Sequence, residues 1–288
     1  MYFETQTPED TLAPYLGSSV TTHAFKIVPE DIETITPSHK RPESSKPYTA
    51  IITKSKDKAI EQHNVVNVGT KIYTDGLGID SNMGATAVLY NHNHTPCILK
   101  HHLGLATDHT IYEAEAVGLT LAVQLLLTEE DVEFPIHIFT NNQAVIKSGD
   151  LFSTKPDHYL IDEFTSLILW VRKNNNRGKK DIRIHWIASH EGVEGNEKVD
   201  EEAKAAAQSA VHTSPKAQLP LYLHNHPLPK SISAQLQLQH SQGKERWQRL
   251  WAHSLCHKYT NKLDPKLLSR SFQTLTVGLS KCHTCLLI

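Results

Sequence analysis

From Lys71 onward the apolar positions fall into short β-branched runs and longer helical stripes, punctuated by Gly, Pro, Asn and Asp. KIYTDG (71–76) reads as a strand ending at Asp-Gly. Met83–Tyr90 and Cys97–Gly104 read as two more strands, divided by the polar turn NHNHTP. Three strands joined by short turns predict an antiparallel meander. Thr110–Leu127, dominated by Ala, Leu and Glu, predicts a long helix. Phe134–Asn142 predicts a buried strand, QAVIKSGDLF a short helix, and His158–Asn174 a long amphipathic helix. In that helix the stripe Leu160, Phe164, Leu167 and Val171 is core packing. Asp181–Ser189 alternates with period 2, as a strand does, and Asn196–Ala210 predicts a last helix. The order β-β-β-α-β-α-α-β-α implies an α/β domain: a mixed five-stranded sheet flanked by helices.

The flanks have a different texture. Residues 1–69 predict a partly disordered lead-in, rich in Pro, Ser, Thr and charge. Within it, Tyr48–Thr53 has strand composition, and the residues after it suit a short helix. Residues 70–210 are expected to form the domain, and 211–288 a basic helical tail, expected to be partial and truncated. Charge follows the same division. Residues 1–69 hold 7 Lys+Arg and 9 Asp+Glu, residues 70–207 hold 12 and 20, and residues 208–288 hold 10 and 2. An acidic middle followed by a basic tail suits a carboxylate-rich site beside a segment that tolerates phosphate. Four cysteines are too few for a disulfide scaffold and suit a reducing, intracellular compartment. The N-terminus shows no basic-then-apolar leader, and no run is expected to span a bilayer. A soluble protein with no membrane partner is expected.

Three acids stand near element ends. Asp75 closes the first strand, Glu115 lies in the first turns of the long helix, and Asp200 lies early in the last helix. Taken singly, each has an ordinary reading: a hairpin turn, a helix-dipole charge, an i,i+4 pair with Lys204. In a mixed sheet of this order they converge beyond the carboxyl ends of the central strands. Converging carboxylates repel one another, and a divalent cation relieves the repulsion; an oxygen-rich set favours Mg²⁺.

YTDG, YEAEAVGLTLA, IFTNNQAVI and SHEGVEGNEKVDEEAKAAA occur in the order and spacing of ribonuclease H type 1, which the chain resembles. The resemblance implies metal-dependent endonucleolytic hydrolysis of the RNA strand of an RNA–DNA hybrid. It implies Asp75, Glu115 and Asp200 as ligands of two Mg²⁺ ions, with Mn²⁺ as a substitute, and His190 as the mobile-loop residue for proton transfer or product release. Glu115 fits the family spacing better than Glu113. Two positions depart from the pattern. Asn141 stands where the family has a catalytic Asp, and Leu77 where it usually has Ser. The resemblance therefore also carries an alternative: a catalytically impaired nucleic-acid-binding relic. The segments AIEQHN, LPKSISAQLQLQHSQGKERWQRLWAHS and KLDPKLLSRSFQTLTVGLSK resemble the flanks of this domain in LINE-type retrotransposon polyproteins. That implies a retroelement fragment working beside a reverse transcriptase supplied separately. Oligomeric state and compartment, cytoplasm or nucleus, stay open.

Two further motifs have bland readings. The run Arg172–Lys180 reads as a solvated basic loop, with salt-sensitive phosphate contact as its rival. Cys282-His-Thr-Cys285, with Cys256-His257 upstream, has plausible zinc spacing, but the family segment does not generally carry these residues; they read as incidental thiols.

Overall fold

The computed structural model describes residues 28–35, 46–67, 69–91, 95–130, 132–149, 155–189, 192–224, 227–254, 257, 261–262 and 274. The elements are β1 (Thr49–Ile51), α1 (Lys56–Val65), β2 (Lys71–Ile79), β3 (Asn82–Tyr90), β4 (Cys97–Leu105), α2 (Ile111–Thr128), β5 (Ile136–Thr140), α3 (Gln143–Ser148), α4 (His158–Asn174), β6 (Ile182–Trp186), α5 (Glu194–Gln208) and α6 (Ile232–Ala252). One mixed sheet runs in the order β1-β6-β5-β2-β3-β4. The meander β2-β3-β4 is antiparallel, while β5, β6 and β1 join it in parallel. The five expected strands appear in the expected roles. The sixth is the short Tyr48–Thr53 run, whose Thr49 pairs with Arg183 at the sheet edge.

Packing decides the layers. One face of the sheet is covered by α2 and α4, the other by α5 and α1. Thr110 starts α2: its hydroxyl accepts from Glu113 N (3.2 Å), and the Glu113 carboxylate accepts from Thr110 N (2.6 Å). Length and apolar composition would let α2 cross a membrane, contrary to the expectation of no such run. Its apolar stretch has mean hydropathy 1.3 and is 72% buried, the mark of a core helix. Leu160, Phe164 and Val171 of α4 are buried as expected, with Leu167 half-buried at the edge. On the opposite face Tyr73, Val88, Phe139, Ile187, Val193 and Val199 form a second cluster, in which Tyr73 stacks on Phe139. Here α1 contributes His63, whose Nε2 lies 2.6 Å from the Tyr73 hydroxyl.

The described flanking segments pack on this body. Tyr48 is buried against Phe164. Leu219, Leu223 and Leu228 join the main core. Ile32 pairs with Lys230 as a parallel bridge, and Glu33 is buried between them and α4. The chain divides into two compact units, Met1–Leu236 and Gln237–Ile288. In the second, Trp247 and Trp251 stack one helical turn apart, and His257 meets Trp251 edge-on. Cys256, Cys282 and Cys285 lie outside the described residues.

Candidate active site

The pocket forms where β5 ends beside β2; contrary to expectation Asp75 does not close its strand, because β2 runs on to Ile79 paired with β3. Asp75 sits on β2 opposite Thr86 of β3. The next residue is Gly76, where a Cβ would collide with the backbone of Ala114 and Glu115. Glycine therefore lets α2 lie against the strand and brings Glu115 up to Asp75. β5 ends at Thr140, and the following asparagines divide the work. Asn141 donates its side-chain amide to Asp75 Oδ1 (2.8 Å), and its backbone carbonyl accepts from Trp186 Nε1 (3.0 Å). Asn142 caps α3, its Oδ1 accepting from Ala144 N (2.9 Å) and Val145 N (3.3 Å). Asp200 arrives from the second turn of α5, with its Oδ2 2.6 Å from Lys204 Nζ.

These residues line one cavity of about 330 Å³, together with Leu77, Ile111, Gln143, Ser189 and Asn196. Glu115 is buried and receives a hydrogen bond from Thr140 Oγ1 (3.3 Å). Burial first, and then the nearby Asp75 charge, push its carboxyl well above the ordinary carboxylate range; bonds from Thr140, Asn142 and the Gly76 backbone pull the other way. Glu113, two residues earlier, belongs to the α2 cap and lies 3.3 Å from His109 Nδ1. The helix turns it away from the cavity.

Asp75, Glu115, Asn141 and Asp200 are thus brought to one pocket; His190 lies outside the described residues, one position after Ser189. Among the described residues, no three His, Cys, Asp or Glu side chains are close enough to hold an ion as they stand, with Asp200 turned to Lys204. Sequence reasoning did not single out Thr140, Asn142, Gln143 or Asn196. Asn142 carried a legible signal, an Asn before a helical run. Asn196 carried none, because only the fold of α5 brings it to the cavity.

The family model described as RNase H matches residues 67–208. A solved structure described as LC11-RNase H1 in complex with RNA/DNA hybrid aligns with 49% of this chain and 99% of its own, at 18% identity and a TM-score of 0.37. No curated protein matches the chain. Every residue lining the cavity falls inside the matched segment, and residues 67–208 of the chain form an RNase H domain.

Proposed function

We propose that the chain is an RNA–DNA hybrid ribonuclease that hydrolyses the RNA strand endonucleolytically. The observation that carries this reading is the meeting of Asp75, Glu115 and Asp200 in one cavity of an RNase H domain. The donors are all oxygen, the chemistry that Mg²⁺ and Mn²⁺ accept, so the residues fit such ions by type. Asp75, Glu115 and Asp200 would hold them, Asp200 after leaving Lys204. When bound, two divalent ions supply an activated water and charge stabilisation at the scissile phosphate. Asp75 fixes the near wall, held by Asn141. Thr140 holds Glu115 at the floor. His190 is assigned proton movement or product release on the family resemblance alone. Recognition would be by hybrid shape and 2′-hydroxyls, with phosphates setting the salt dependence.

One observation favours a second reading, a hybrid-binding relic that turns over little. Asn141 brings no charge, and its amide donates to Asp75 Oδ1, one of the two oxygens that carboxylate would offer a cation. The retroelement origin belongs to the same proposal and rests on the flanking resemblances, with a separately supplied reverse transcriptase as partner. The test is cleavage of a labelled RNA–DNA hybrid by the full chain in Mg²⁺ and in Mn²⁺, beside Asp75→Asn. Cleavage lost in Asp75→Asn supports the enzyme. Salt-sensitive hybrid binding without cleavage supports the relic.

A further inference from the structure

The far end of α4 and the loop after it carry a different chemistry from the pocket. Leu169 and Trp170 stand on the outer face of α4, 52% and 54% exposed. Lys173 follows Trp170 by three residues and so lies on the same side of the helix. The chain then runs through Asn174, Asn175, Asn176, Arg177 and Gly178 to Lys179 and Lys180. Among the described residues, none of Lys173, Lys179 and Lys180 is in an ion pair. The acids nearest in sequence are Glu163, two helical turns back on α4, and Asp181. Asp181 is engaged locally, its Oδ2 accepting from Gly178 N (2.7 Å).

A merely solvated loop would not be braced, and this one is. Arg172 donates from Nη1 to Pro47 O (3.0 Å) and from Nε to Arg177 O (3.3 Å). Arg177 N donates back to Arg172 O (2.8 Å), and Asn175 Nδ2 donates to Val171 O (2.9 Å). The Arg177 guanidinium lies 4.4 Å from the Phe134 ring centroid. The two arginines thus hold the loop in place, with Lys173 and Lys180 exposed and Lys179 half-buried. The loop enters β6 at Ile182, whereas the cavity lies past the other end of that strand. Five residues of strand at about 3.3 Å each separate the two by roughly 16 Å.

We propose that this surface is a second nucleic-acid contact, distinct from the cleavage pocket. It takes an unpaired strand, with a base stacked on Trp170 and phosphates on Lys173, Lys179 and Lys180. Nucleic acid fits better than a protein partner because the exposed aromatic is flanked by unpaired cations and uncharged amides. That is the pairing of stacking platform and phosphate tether that single strands use. The inference does not depend on whether Asn141 permits cleavage.

The test is anisotropy of a labelled single-stranded oligothymidylate, which offers no RNA to cut, titrated with the full chain across a salt series. Trp170→Ala is expected to weaken binding about tenfold, with Trp170→Phe retaining most of the affinity. Replacing Lys173, Lys179 and Lys180 by Gln is expected to lower the slope of log affinity against log salt by about 2. Trp170, Lys173 and Lys180 are exposed and Lys179 is half-buried, and circular dichroism and melting verify that the variants fold. Wild-type affinity and slope in folded variants, or no binding by the wild type, would overturn the proposal.

Discussion

Glu33 is the position at which a single substitution best tests how the flanks belong to the fold. It is 2% exposed, and its two oxygens accept from the backbone N–H groups of Asp157 (2.7 Å) and Ile232 (2.8 Å). Those groups begin α4 and α6, so one side chain caps two helices that lie 124 and 199 residues away in sequence. Glu33→Ala leaves both donors buried without an acceptor, at about 1–3 kcal/mol each, or roughly 3–5 kcal/mol together. Glu33→Gln keeps one carbonyl acceptor and should lose about half of that. Burial, and then the Asp157 charge, push the Glu33 carboxyl up to about 9. A carboxyl raised on folding contributes most below its unfolded pKa, near 4.5, and progressively less as pH rises toward 9. The penalty of Glu33→Ala should therefore be larger at pH 5.5 than at pH 8. The assay is urea unfolding at both values, followed by circular dichroism and tryptophan fluorescence. A penalty under 1 kcal/mol at pH 5.5 would refute the capping argument, and one that grows with pH would refute the raised carboxyl.

Two other outcomes are expected. Asn141→Asp should raise Mg²⁺-dependent hybrid cleavage at least tenfold, and should make melting temperature rise with Mg²⁺ more than in the wild type; a folded variant with neither gain would clear Asn141 as the main lesion. His137 and His185, both buried on the sheet and 2.9 Å apart (Nδ1 to Nε2), are depressed to about 4 and about 3, chiefly by burial and then by Arg183 for the first and His137 for the second. An imidazole depressed on folding contributes stability above its unfolded pKa near 6.5 and loses it as pH falls. Each should remove about 2 kcal/mol between pH 7 and pH 5, and a His137→Gln, His185→Gln double variant should lack that component; an identical pH dependence in the two proteins would refute it.

The parts of the fold that were legible in sequence carry local signals. YTDG, the Ala- and Leu-rich α2, and the FPIHIFT run each announce an element within ten or so residues. Their order then fixes the parallel neighbours β2 and β5, and with them the pocket. The choice of Glu115 over Glu113 came from spacing, and the helix cap gives the physical reason that Glu113 is elsewhere. The contacts with no local signal are long-range and sparse. Tyr48 is one buried aromatic in a polar lead-in, received where Gly149 leaves room for its hydroxyl. Leu219, Leu223 and Leu228 lie between prolines, with no period to mark them as core. Such contacts depend on where the rest of the chain has already folded, and no window of sequence contains both partners.

The pocket's electrostatics sharpen the meaning of Asn141. Three acids share the cavity, and each is relieved differently. Glu115 is driven toward its neutral form by burial and by Asp75. Asp75 receives the Asn141 amide, and Asp200 holds Lys204. Asp200 first, and Asp75 to a smaller extent, raise the Lys204 ammonium pKa. An Asp at position 141 would replace a donor with another acid beside Asp75, and Lys204 already serves Asp200. The amide and the ammonium therefore do, within the chain, part of what a divalent ion would otherwise do. A cation drawn to this pocket would share Asp75 with the Asn141 amide and compete with Lys204 for Asp200, and both would reduce its affinity. Asn141 would then weaken ion binding in two ways: it withholds a charge, and its amide satisfies Asp75 in the absence of an ion.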